Sequence, residues 1–190
     1  MATVALFHHA QGLTDGVRAF AAGLEANGHA VHTPDLYDGA VFDDLDAGVA
    51  NAERIGFLEL IEAGRDAVAD LPDDLVVAGF SLGALVAHNL AQTRPGVRGA
   101  VLIHHGDVPV DMFGLEWPAG VDLQLHVAEG DPFFEPETVA AFRDAVGQVS
   151  EADLFLYPGS THLFADPSLP GFAESETTEM LERILAFLER

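Results

Sequence analysis

The run Leu75-Val76-Val77-Ala78-Gly79-Phe80-Ser81-Leu82-Gly83-Ala84-Leu85-Val86 constrains this chain more than any other stretch. It opens on four apolar residues suited to a buried strand. Leu82, Leu85, Val86 and Leu90 then recur at helical spacing until Pro95 stops the pattern. A strand therefore runs straight into a helix, with Gly79-Phe80-Ser81-Leu82-Gly83 at the junction. That spacing is the G-x-S-x-G of a nucleophile elbow, in which a sharp, strained turn lifts the serine hydroxyl above the sheet edge. Glycine two residues before and after the serine leaves room for strand and helix to close on each other. The N–H of Leu82 heads the helix, where it can face a developing oxyanion. A plain turn with an incidental serine would show the same five letters, so the weight rests on the flanking strand and helix.

Five further apolar runs read as strands: Val4 to Phe7, His29 to Thr33, Gly99 to His105, Leu123 to Ala128 and Asp153 to Tyr157. Helical spacing runs between most of them, over about 15–27, 49–71, 138–149 and 175–188. Six short strands alternating with helices predict a mostly parallel sheet covered on both faces, within one α/β domain spanning residues 1–190. Ligands of such sheets sit beyond the carboxyl ends of the strands. Residues 106–120 are too few to build a lid domain.

The 190 residues suffice for a full core, burying roughly 70% of the unfolded surface. With no cysteine, disulfides, thiolate metal sites and a cysteine nucleophile are excluded together, and a cytoplasmic location is expected. Thirty-one acidic residues against eight basic ones, all arginine, leave a net charge of −23. That field repels nucleic acid and anionic membranes, so neither is expected as a partner; salt adaptation or solubility would each account for it. No apolar run reaches the ~18 residues of a membrane span, and Met1 to Phe7 reads as a first strand and not as a signal.

Ser81, Asp131 and His162 each lie just past a predicted strand, in the chain order expected of an α/β-hydrolase triad. A hydroxyl becomes a useful nucleophile at neutral pH when an imidazole takes its proton. The imidazole in turn needs a carboxylate to fix its tautomer and steady its charge. Glu129 is a rival for the acid, two residues from Asp131. Asp35 and Asp107 also follow strands and read as turn or capping residues.

Four segments carry a resemblance: Gly79-Phe80-Ser81-Leu82-Gly83, Pro34-Asp35-Leu36-Tyr37, Leu125 to Phe134, and Tyr157-Pro158-Gly159-Ser160-Thr161-His162-Leu163-Phe164. In sequence and spacing they resemble the dienelactone hydrolase family of α/β-hydrolases. The resemblance implies a compact α/β-hydrolase fold without a lid domain, Ser81 as nucleophile, Asp131 as acid, His162 as base, and an oxyanion hole from the N–H groups of Leu82 and Ala10. Three positions depart from it. Serine stands where the best-known members use cysteine; the family's glutamate after the first strand is missing from His8-His9-Ala10-Gln11; and Asp166 stands where an arginine would hold a carboxylate substrate. A dianionic dienelactone is therefore not the expected substrate.

His8-His9 and His104-His105 end the first and fourth strands, which flank the elbow strand in an α/β-hydrolase. Side chains alternate along a strand, so at most one of each pair is expected to face Ser81. His9, Gln11, Trp117 and Phe133 are expected to contact substrate, with Met112, Phe113, Leu115, Phe134 and Phe164 as further apolar lining. These residues together predict a serine esterase for small carboxylic esters, lactones or thioesters, working through an acyl-enzyme with no cofactor or metal, as a monomer or homodimer. A non-catalytic binding protein on the same fold, and a metalloprotein using the four histidines, are the alternatives.

Overall fold

The computed structural model describes residues 1–105, 115–134 and 151–190. The strands are β1 (Thr3–Phe7), β2 (Ala30–His32), β3 (Val76–Phe80), β4 (Gly99–Ile103), β5 (Asp122–Ala128) and β6 (Ala152–Tyr157). They form one sheet in the order β2-β1-β3-β4-β5-β6, with every neighbouring pair parallel. Among the described residues the helices are α1 (Asp15–Ala26), α2 (Leu45–Ile55), α3 (Phe57–Ala67), α4 (Leu82–Thr93) and α5 (Glu174–Leu188). The predicted helix over 138–149, and Asp107, Met112 and Phe113, lie outside the described residues.

The central strands carry apolar side chains on both faces, which is why they read as unbroken hydrophobic runs. Val4, Leu6, Val76, Ala78, Val101 and Ile103 point to one side, where α1 brings Val17, Phe20 and Leu24 and α5 brings Met180, Ile184 and Phe187. Ala5, Phe7, Val77, Ala100, Leu102, Leu125 and Val127 point to the other, against Ile61 of α3 and Ala84, Val86, Ala87 and Leu90 of α4. Each large side chain so buried contributes roughly 1.5–3 kcal/mol. Two apolar layers thus clamp the sheet and hold its carboxyl edge rigid.

Helicity in the second predicted zone starts earlier than its apolar spacing suggests, and it breaks once. Asp44 caps α2 by accepting from the N–H of Ala47 at 2.8 Å, so the acidic run before the helix is its start signal. At Gly56, φ is 106°, a conformation that ends α2 and begins α3 in one residue. Four non-glycine residues among those described have positive φ: Asp38, Ser81, His104 and Leu163. The last three gather at the carboxyl edge of the sheet, beside or within the site below.

Candidate active site

Ser81 sits between β3 and α4 with φ 50° and ψ −108°. Its amide donates to the carbonyl of Ile103 at 2.7 Å, tying the turn to β4. The two glycines are required by contact. A Cβ at Gly79 would lie 2.1 Å from the carbonyl oxygen of Gly83, and one at Gly83 would lie 2.3 Å from that of Phe7. Without side chains at both positions, α4 can start directly over the strand ends, and Leu82 at its first position borders the cavity.

The turns after β5 and β6 are laced together: Glu129 donates to Tyr157 at 2.8 Å and Gly130 to Gly159 at 2.9 Å. They bring Asp131 under His162, whose Nδ1 lies 2.8 Å from Oδ2 and 3.1 Å from Oδ1. A carboxylate only accepts, so the proton is on Nδ1, and Nε2 is left to accept from the Ser81 hydroxyl at 2.9 Å. Asp131 is buried, and its Oδ1 also accepts from the N–H of Phe133 at 2.9 Å. Glu129, the rival carboxylate, is exposed to solvent.

This chain of bonds opens on a cavity of about 420 Å³ lined by Ala10, Leu45, Val49, Ala52, Phe57, Ser81, Leu82, Leu85, His104, His105, Phe133 and His162. Ala10 and Leu82 thus reach the same space as the serine. Ala10 is braced from behind by α2, which approaches so closely that a Cβ at Gly48 would lie 2.3 Å from its carbonyl oxygen. Phe133 packs against His162 in a tilted arrangement, with ring centroids 4.6 Å apart. Much of the apolar wall comes from α2 and α3, through Leu45, Val49, Ala52 and Phe57. The first three stand at i, i+4 and i+7, one helical face that the sequence displays but cannot aim.

Several expected contacts fall elsewhere. Trp117 packs against His88, with its Nε1–H donating to the carbonyl of Val121 at 2.7 Å, and does not border the cavity. Gln11 is buried and donates to the carbonyl of Phe42 at 3.1 Å. Phe134 and Phe164 belong to the two core layers, and Leu115 is not in the cavity wall. His9 is fully buried; its Nδ1 accepts from the N–H of Gln11 at 3.2 Å, and its Nε2–H donates to Asp166 at 2.8 Å. Two of the positions that depart from the family pattern, after the first strand and after His162, are therefore bonded to each other.

Asp166 is not a surface charge facing substrate. It is 1% exposed and accepts four hydrogen bonds: from His9, from the hydroxyl of Thr14 at 2.6 Å, and from the N–H and hydroxyl of Ser168 at 2.7 and 2.6 Å. Burial alone would raise its pKa, but the bonds from His9, Ser168 and Thr14 outweigh burial and lower it to about 2. A Cβ at Gly16 would fall within the Asp166 carboxylate, so the glycine makes room for this lock.

The expectation that at most one histidine of each pair faces the cavity holds at the first pair and fails at the second. Neither His8 nor His9 reaches the cavity, whereas both His104 and His105 do. The cause at β4 is the left-handed backbone of His104, φ 55°, which ends the strand pleat. His8 is satisfied between the carbonyl of His9 at 2.8 Å and the N–H of Leu36 at 3.0 Å, and burial lowers its pKa to about 4. Among the described residues no three His, Asp or Glu side chains are grouped to hold a metal ion.

A sequence model of the dienelactone hydrolase family matches residues 1–190. The chain belongs to that family. Its fold is that of the α/β-hydrolases. It is similar to a dienelactone hydrolase-like promiscuous phosphotriesterase from metagenomic libraries, with 21% identity and a TM-score of 0.79 over all of this chain and 86% of that one. It is also similar to a metagenome-derived lipolytic enzyme, with 18% identity and a TM-score of 0.67 over 99% of this chain and 93% of that one. An uncharacterized protein of Caenorhabditis elegans is 27% identical over 121 residues, 60% of this chain and 77% of its own length. The family and these enzymes are hydrolases. No helix among the described residues is long and apolar enough to cross a membrane.

Proposed function

We propose that this family member is a serine hydrolase for small, neutral carboxylic esters, lactones or thioesters. The observation that carries the reading is the unbroken line from Ser81 Oγ through His162 to the buried Asp131, at 2.9 and 2.8 Å, with its hydroxyl end on the cavity. Ser81 Oγ attacks the substrate carbonyl as its proton passes to His162 Nε2, and Asp131 steadies the imidazolium. The N–H groups of Leu82 and Ala10 receive the negative charge on the carbonyl oxygen. His162 then protonates the departing alcohol or thiol, and water releases the acid by the reverse sequence.

The cavity supports the substrate class. Its volume suits a small molecule, and among the described residues its lining is apolar apart from one serine and three histidines, with no arginine to hold a carboxylate. The net charge of −23 further disfavours anionic substrates. The same reading includes a cytoplasmic location and a monomer or homodimer. Ser81→Ala tests it: hydrolysis of p-nitrophenyl acetate should fall by at least about 10³-fold, and fluorophosphonate labelling should vanish. A variant as active as its parent, or a parent that ignores the fluorophosphonate, overturns the assignment; the second result would indicate a binding protein on the same fold.

A further inference from the structure

Among the described residues, His104 is the one in the cavity wall whose polar atoms the triad leaves unused and whose backbone is also strained. It follows the last residue of β4, its N–H donates to the carbonyl of His126 at 2.8 Å, and its φ is 55°. The side chain is 2% exposed, and neither ring nitrogen has a hydrogen-bond partner among the described residues. Its ring lies 5.7 Å from that of His162 and packs against Phe164 at 4.7 Å. Leaving a buried imidazole without a partner is costly, because its polar atoms lose water and gain nothing in return. Such a group lining a cavity calls for a partner that arrives with the reaction.

Its position says which partner. β4 lies on the β5 and β6 side of the elbow strand, the side from which Asp131 and His162 come, whereas Ala10 comes from β1 on the opposite side. The leaving group departs beside His162, and in the second half-reaction water occupies that place. We propose that His104 holds this water, accepting a hydrogen bond from it while His162 takes its other proton; the inference rests on the serine hydrolase reading above. The water oxygen bonds to the acyl carbon as one proton moves to His162 Nε2. The Ser81 Oγ–C bond then breaks, His162 returns the proton to Oγ, and the second hydrogen leaves on the carboxylic acid. His104 neither gains nor loses a proton. Burial, followed by the neighbouring charge of His162, keeps His104 neutral and able to accept.

The two half-reactions separate under this proposal. With p-nitrophenyl acetate, rapid p-nitrophenolate release reads acylation of Ser81, and loss of the acetyl adduct by mass spectrometry reads its hydrolysis. His104→Phe should keep acylation within about 3-fold of the parent and slow acetyl loss by about 10- to 100-fold. His104→Gln, which retains a polar end, should recover most of that loss. A deficit shared equally by both steps, or by neither, overturns the role. Independently of any variant, a crystal structure of the parent carbamoylated by p-nitrophenyl dimethylcarbamate should hold a water within about 3 Å of nitrogens of both His104 and His162; a well-ordered site without it also overturns the role. A parent that never forms the Ser81 adduct refutes the serine hydrolase reading instead.

Discussion

Among the described residues two histidine–aspartate pairs close at 2.8 Å, His162–Asp131 and His9–Asp166, each joining distant parts of the chain. Their surroundings differ. In the His9 pair every polar atom is consumed: one ring nitrogen by a backbone amide, the other by the carboxylate, and both carboxylate oxygens by further donors. In the His162 pair the outer nitrogen meets a serine hydroxyl at the edge of a cavity. An Asp–His pair becomes a candidate catalytic device when one nitrogen is left for a group that can react, and a lock when none is left. The lock still serves the site, because it fastens the strand end before Ala10 to the loop that follows His162.

Substitutions separate the two. The largest effect is expected at the first pair: Asp131→Asn should lower kcat on p-nitrophenyl acetate by about 10³-fold or more by disturbing the His162 tautomer, while the protein stays folded. Steady-state kinetics beside thermal unfolding would measure both, and a parental kcat would remove Asp131 from the machinery. Asp166→Asn should act in the opposite proportion. All four groups facing that carboxylate are donors, so the new NH₂ must confront one of them wherever it turns, at a cost of about 1–3 kcal/mol of stability. Activity per folded molecule should fall far less than in Asp131→Asn. Equal losses of activity in the two variants would erase the distinction.

A further expected effect lies in the pH dependence of stability. Asp166 has a folded pKa of about 2, below its ordinary value, so its contribution is present above pH ~4 and is lost as pH falls toward 2. That contribution is on the order of 2 kcal/mol. Burial depresses His8 to about 4 and His126 to about 3, so each adds stability above its ordinary 6.5 that drains away as pH falls through that window. The loss is about 1.4 kcal/mol per pH unit for each imidazole while the unfolded state is protonated and the folded state is not. Chemical denaturation in 1 M salt, where repulsion among the surface acids is screened, should show stability declining from pH 6.5 toward 4.5. A flat profile would mean these histidines are not held neutral.

What could be read from residue order was whatever depends on local chemistry. Strand-turn-helix patterning around Ser81 marks the elbow because glycine, serine and hydrophobic period are local facts. The six-strand parallel sheet followed from apolar runs separated by helical spacing. The spacing of Asp131 and His162 past their strands pointed to one edge, and the coordinates join them to Ser81. Tertiary structure decided the rest, since it depends on which surfaces meet. Nothing local distinguishes the buried His9 from a pocket residue, or tells that Asp166 would be enclosed by four donors. The apolar lining expected from the sequence lies mostly downstream of β4, yet much of the wall comes from Leu45, Val49, Ala52 and Phe57 of α2 and α3. His104 faces the cavity because its backbone leaves the strand conformation, and a φ of 55° is imposed by the fold around it and not by the identity of the residue.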